Sequence, residues 1–155
     1  MPMETSFIFL KPDAVQRGLI GQIVARFERK GLRIIGMKMM TVSHDLAEKH
    51  YAEHKGKGFY DGLIQFVTSS PVLAFAVKGV DAIAVCRKLI GATNGRKAEP
   101  GSIRGDFGMS GGYNMIHGSD SPESAARELA LWFTAAELHD NDRTIEAWVY
   151  DPSDL

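Results

Sequence analysis

Four short apolar runs, set between stretches of helical period, limit this chain to a sheet of few strands covered by helices. Ser6–Leu10 (SFIFL) mixes aromatic and β-branched residues without a polar break, the signal of a buried strand. Lys11-Pro12-Asp13 ends it, because proline has no N–H for a ladder. Between Leu19 and Lys30 the apolar residues fall at 19, 20, 23, 24 and 27, an amphipathic helix that Gly31 is placed to cap. Leu32–Val42 alternates roughly with period two and reads as a second strand. Two short helices follow, about Asp45–His54 and Phe59–Ser69, and Pro71 opens a third strand, Val72–Val77. Asp81 is placed to cap a helix that Gly91 stops after Ile90. Asn114–His117 is a brief apolar return, and Ser121-Pro122 opens a helix to about Leu138. A last apolar patch runs from Ile145 to Tyr150. Alternation of this kind favours a parallel sheet, although periodicity does not fix strand order.

With 155 residues and no repeat or linker, the expectation is one domain over residues 1–155. Eighteen Lys and Arg against 19 Asp and Glu give a net charge of −1, which provides no field for wrapping nucleic acid. The only cysteine, Cys86, permits no internal disulfide, lies in an apolar helical stretch as a core thiol would, and fits a reducing compartment. No basic segment precedes Phe7–Leu10 as in a signal peptide, and no apolar run approaches the ~20 residues of a membrane span. A cytoplasmic location is therefore expected. Charge is nonetheless uneven. Arg87, Lys88, Arg96, Lys97 and Arg104 face one acid, Glu99, for a local +4, whereas residues 120–155 carry −7. The basic stretch coincides with Gly91–Tyr113, which holds seven glycines and no sustained apolar period. A long irregular segment in a small domain is usually functional, and a basic one suits a small anion.

Several motifs fail. Gly31–Lys38 has glycines at P-loop spacing, but Met37 stands where the lysine belongs and the stretch is strand-like. There is no G-x-G-x-x-G for a dinucleotide, and no strand-to-helix nucleophile elbow supports a serine hydrolase. His50-Tyr51-Ala52-Glu53-His54 has the H-x-x-E-H spacing that puts two zinc ligands on one helix face, without an evident third ligand.

What remains describes phosphate handling. His117 lies between the glycine-rich segment and a helix start, and Gly118 after it leaves its approach open. A neutral imidazole is a competent nucleophile that can carry a covalent intermediate. Glu128, on the following helix, could orient one ring nitrogen while the other attacks, with Ser119 bridging them. Arg87 and Arg104 offer guanidinium forks, and Thr93 adds a neutral donor. Phe59 offers an aromatic face to a base.

Phe9–Ala14 (FLKPDA), Arg17–Gly21, Lys30–Leu32, Arg87–Asn94 (RKLIGATN), Gly101–Asp106 (GSIRGD) and Asn114–Ser121 (NMIHGSDS) occur in an order and spacing that closely resemble nucleoside diphosphate kinases, from Thr5 to about Phe133. The resemblance implies an α+β, ferredoxin-like βαββαβ sandwich: a four-stranded antiparallel sheet flanked by helices, plus a long Gly-rich loop. It implies ping-pong transfer of the γ-phosphoryl group from a nucleoside triphosphate, mainly ATP, to a diphosphate through phosphohistidine at Nδ1 of His117. Lys11 would contact phosphate and the ribose 3′-hydroxyl, Asn114 the sugar, and Tyr51 would neighbour the histidine. Arg87, Thr93 and Arg104 would hold the β- and γ-phosphates, and Glu128 with Ser119 would position the imidazole. Phe59, with Leu63 one turn later, would stack any base, and Mg²⁺ would be held mainly by nucleotide phosphates and water. Family members are homo-oligomers, and the C-terminal stretch through Trp148 and Tyr150 is more like the hexameric than the tetrameric ones. Nucleotides, not nucleic acid or membrane, are the expected partners. Three positions depart from the family: Gly95 replaces a usual proline and is expected to loosen the loop, Gly111 an apolar residue facing the base, and Tyr113 a frequent basic residue. The competing class is a non-catalytic, ferredoxin-like nucleotide-binding regulatory module. For the enzyme, the rate is expected to fall between pH 8 and pH 5 as the histidine protonates.

Overall fold

The computed structural model describes residues 3–155. Its central strand, β1 (Met3–Leu10), pairs antiparallel with β3 (Val72–Val80) on one side and with β4 (Ile116–Gly118) on the other. β2 (Arg33–Met40) pairs antiparallel with β3, so the sheet order is β2-β3-β1-β4. This is the antiparallel α+β arrangement, and it corrects the parallel sheet that alternation favours. The reason lies in the crossovers. β1 reaches β2 through α1 (Pro12–Gln16) and α2 (Ile20–Lys30), and β3 reaches β4 through α5 (Ala82–Ile90) and α6 (Ile103–Phe107). Each crossover joins strands that run the same way but skips one position, and an antiparallel strand fills the gap.

Both faces of the sheet are covered, which explains why Phe7–Leu10 is apolar throughout: Phe7, Ile8, Phe9 and Leu10 are all fully buried. Ile8 and Leu10 join Phe75 and Val77 under α2 (Ile23, Phe27) and α5 (Ala82, Cys86, Ile90). Phe7 and Phe9 project the other way, with Ala74 and Ala76, against α3 (His44–His50), α4 (Tyr60–Thr68) and α7 (Pro122–Trp132) through Ala47, Ile64, Val67 and Trp132. Burial of each such side chain stabilises the fold by about 1.5–3 kcal/mol. Cys86 is a core thiol, its pKa pushed up to about 12 by burial.

Helix ends follow the sequence in part. Gly31 caps α2 at φ 103°, and the Ser121 hydroxyl accepts from the Ser124 N–H (3.1 Å) with Pro122 in the first turn. Asp81 does not cap α5 through its side chain; it takes a left-handed turn at φ 52°. α7 stops at Trp132 rather than Leu138, because Phe133 and Thr134 are extended and Thr134 opens a separate 3₁₀ turn, Ala135–Glu137. The Ile145–Tyr150 patch forms a 3₁₀ turn, Thr144–Trp148, followed by Tyr150, whose hydroxyl accepts from the Val80 N–H at 3.1 Å.

The glycine-rich segment is packed rather than structureless. Ser102 caps α6 by accepting from the Gly105 N–H (3.0 Å), and Arg26 clamps Asp106 (2.6 Å) and the Gly101 carbonyl (2.8 Å). Gly95 is buried against Gly108, whose carbonyl oxygen would lie 2.4 Å from any Cβ there. The loosening expected of Gly95 is therefore replaced by close backbone packing.

Gly118 has a different reason from the one read in the sequence. Side chains alternate along β4, so position 118 faces away from His117, and a Cβ there would sit 2.6 Å from Ile90 Cδ1. Gly118→Val should overpack that core and destabilise by about 1–3 kcal/mol. Calorimetry should show a Tm lower by roughly 3–10 °C; an unchanged Tm would contradict this packing.

Candidate active site

The register of β4 on β1 sets the histidine. Phe9 stands opposite His117, so both rings share one face, stacked at 5.4 Å and 28°. On the same face α7 brings Glu128, which is buried, and α3 brings His50 (ring centroids 4.6 Å from His117). Ser119 donates to Glu128 Oε1 at 2.7 Å and accepts from the Phe7 N–H at 3.1 Å, so one carboxylate oxygen is pinned to the central strand. The other, Oε2, lies 3.0 Å from His117 Nε2, somewhat off the line of a regular N–H···O bond. Nε2 is buried against Glu128, which leaves Nδ1 as the ring nitrogen on the open side.

Beyond the ring lie three cations. Lys11 Nζ donates to Asn114 Oδ1 (2.8 Å), and Asn114 Nδ2 donates to the Thr93 carbonyl (3.2 Å). Arg104 spends its guanidinium on the carbonyls of Asn114 (3.0 Å), Gly91 (3.2 Å) and Ile116 (2.6 Å), bracing the chain that enters β4. Arg87 reaches the Gly118 carbonyl at 3.4 Å. Among the described residues none of the three is in an ion pair. Burial, then the Arg104 charge, brings Lys11 down to about 8; burial, then Arg87, brings Arg104 down to about 10. Met115, in this same turn, holds a left-handed φ of 68°, a strained conformation for a non-glycine, with its carbonyl taken by the Lys11 N–H (2.7 Å).

These groups open on one cavity of about 1010 Å³. Lys11, Tyr51, Phe59, Leu63, Arg87, Thr93, Arg104, Asn114, His117 and Glu128 all line it, and Ser119 alone of the expected residues sits behind the lining, fully buried. Tyr51 is buried, its hydroxyl has no hydrogen-bond partner among the described residues, and burial raises its pKa. Phe59, half-exposed at the N-terminus of α4, presents its ring at the mouth.

The zinc spacing dissolves. α3 ends at His50, and Ala52–His54 is a 3₁₀ turn, so the two histidines do not share a helix face. His50, His117 and Glu128 do converge, with ligand atoms within 4.8 Å of one another. Tautomer chemistry argues against a metal there. Trp132 Nε1–H donates to His50 Nδ1 (3.0 Å), so in neutral His50 the proton is on Nε2, the nitrogen facing Glu128 at 3.9 Å. Burial first, with the neighbouring His117 opposing a second charge, lowers His50 to about 2, which keeps it neutral. His50 as an inner-wall residue, and its Trp132 donor, escape sequence reading; a lone tryptophan late in a helix gives no signal of this role.

Residues 4–138 match the family model described as nucleoside diphosphate kinase. The chain belongs to the nucleoside diphosphate kinase family. It is 57% identical to the nucleoside diphosphate kinase of Staphylococcus epidermidis over 149 residues, covering 96% of this chain and all of that one. It is 54% identical to that of Carboxydothermus hydrogenoformans over the same shares. Among solved structures it is similar to a halophilic nucleoside diphosphate kinase from Halobacterium salinarum in complex with CDP (TM-score 0.94, 51% identity, 97% of this chain and 100% of that one). A nucleoside diphosphate kinase family protein from Babesia bovis is also similar (TM-score 0.92, 44% identity, 95% and 99%). The fold agrees with the ferredoxin-like expectation that the family resemblance carries.

The electrostatics revise the pH expectation for the family's histidine. Burial first, then Lys11, Arg87 and Arg104, hold the His117 pKa well below the ordinary imidazole range. Since protonation is opposed, the free protein should keep His117 neutral from pH 8 down to pH 5 rather than titrating midway. Its ring-proton NMR shifts should stay flat over that interval. A midpoint near 6.5 would contradict the largely enclosed, cation-flanked setting.

Proposed function

We propose that the chain is a nucleoside diphosphate kinase whose phosphoryl carrier is His117. The observation that carries this reading is a neutral imidazole, backed by Glu128 at 3.0 Å, facing a cavity with three cations that have no ion-pair partner among the described residues. In the first half-reaction Nδ1 attacks the γ-phosphorus of a nucleoside triphosphate. The N–P bond forms as the bond from phosphorus to the β,γ-bridging oxygen breaks, and the electron pair leaves with the diphosphate. The proton stays on Nε2, where Glu128 offsets the positive charge that the ring gains. In the second half a different diphosphate attacks through its terminal oxygen and restores the imidazole. Lys11, Arg87 and Arg104 neutralise phosphate charge in both halves, with Thr93 as a neutral donor. Ser119 fixes Glu128, Tyr51 packs beside His50 as a neighbour of the histidine, and Asn114 with Lys11 meets the sugar. Phe59 and Leu63 hold the base by stacking and contact, which tolerates any base.

A divalent cation fits as cargo of the nucleotide. The cavity's carboxylates are Glu53, Asp120 and Glu128, and Glu128 is already engaged, so no oxygen cage is built from protein. Mg²⁺, which prefers phosphate oxygens and water, would screen phosphate charge when bound, with Asp120, hydrogen-bonded to Ser124, as the carboxylate beside Arg87 and His117. The non-catalytic module would use the cations and Phe59 but has no need of an imidazole held by a buried carboxylate.

The reading extends to the whole chain acting as one domain in the cytoplasm. The tail is tied back through Arg143 to the Gly31 carbonyl (2.9 Å), and among the described residues no helix is long and apolar enough to cross a membrane. It extends also to a homo-oligomer, a hexamer rather than a tetramer. β2 is an edge strand exposing Met37 and Met39, a surface that favours self-association. Light scattering should return an oligomer; a monomer would remove that part.

Incubation with γ-labelled ATP should give acid-labile, base-stable label on the protein that chases onto added nucleoside diphosphates and is absent from His117→Ala. Label that persists in His117→Ala, or saturable nucleotide binding with no exchange, would overturn the assignment.

A further inference from the structure

The cavity has two walls from distant parts of the chain. α4 supplies Phe59, Leu63 and Phe66, one stripe at helical spacing. The other wall is the turn Gly111-Gly112-Tyr113-Asn114, whose first two residues have no side chain to offer. Across the mouth, Phe66 and Tyr113 stack face to face at 4.4 Å and 9°. Tyr113 is 60% exposed, so core packing does not explain this geometry. The turn beneath is tied by Ser110, whose hydroxyl accepts from the N–H groups of Gly112 (3.2 Å) and Tyr113 (3.1 Å). Tyr113 is bonded directly to Asn114, the residue that holds Lys11 and Arg104 in place.

We propose that the Phe66–Tyr113 stack is a latch that fixes the spacing between the base-stacking wall and the phosphate-gripping wall, and so sets nucleoside affinity. This rests on the kinase reading of the cavity. Tyr113 is a positioning residue: it acts through Asn114 and α4 rather than by gripping phosphate itself. Without the stack the walls lose their bridge, and a nucleotide has to order them on binding. Chemistry at His117 needs neither wall to be bridged once the nucleotide is seated, so KM moves and kcat does not.

Steady-state exchange separates these effects, with phosphoramidate as a phosphoryl donor that has no nucleoside. Tyr113→Ala should raise the KM for nucleoside diphosphates roughly three- to tenfold with kcat within twofold, matching the worth of an aromatic pair. Tyr113→Phe should behave as wild type, Phe66→Leu should reproduce the loss, and the double variant should be no worse than either single one. Phosphoramidate should label Tyr113→Ala at the wild-type rate. Unchanged KM in Tyr113→Ala, an equal loss in Tyr113→Phe, additive losses, or slowed phosphoramidate labelling would each overturn the latch. Absence of exchange in the wild-type protein would instead sink the kinase reading itself.

Discussion

The contact between His117 Nε2 and Glu128 Oε2 is the constraint on which the site depends. A histidine in a cation-lined cavity can present either nitrogen, and only one choice leaves a lone pair towards the ligand. The buried carboxylate makes that choice by taking the Nε2 side. Its own orientation comes from Ser119, whose hydroxyl is joined to the Phe7 backbone at the middle of the sheet. The tautomer is thus referred back to the most deeply buried strand of the fold. Phe9 and His50 fix the ring plane from two further directions.

The cations impose a complementary strain. Among the described residues no carboxylate lies within ion-pair distance of the buried Lys11 and Arg104, and their positions are held by backbone carbonyls and one amide. Carbonyl dipoles offset only part of the desolvation of a buried charge. A polyanion entering the cavity would complete the compensation, so such a cluster suits binding rather than stability. The left-handed Met115 belongs to the same economy, since that turn brings Asn114 under Lys11 while β4 aims His117 at the cavity.

Much of this is legible before any coordinates. SFIFL reads as buried because both faces of β1 are covered, and the Ser121-Pro122 start of α7 follows from local hydrogen-bond chemistry. The strand order is not legible from alternation, because a crossover signals two strands running alike and says nothing of the strand slipped between them. The family motifs supplied that missing topology. Asp81 misleads because its role is a left-handed backbone turn, which an N-cap pattern mimics. Gly95 and Gly118 mislead for a shared reason: each is glycine because of a neighbour far along the chain, Gly108 and Ile90 respectively. His50 looks like half of a zinc motif when its spacing is counted on an unbroken helix, and the helix breaks immediately after it. Ring pairs such as Phe66–Tyr113 are long-range and leave no local trace.

The central claim is that one particular ring nitrogen carries the phosphoryl group. The direct measurement is to form the phosphoprotein from a nucleoside triphosphate without acceptor, in ¹⁵N-histidine-labelled protein, and read nitrogen–phosphorus coupling by NMR. The account predicts phosphorus on Nδ1 of His117, discharged on adding a diphosphate. Phosphorus on Nε2, or on any other residue, would contradict it.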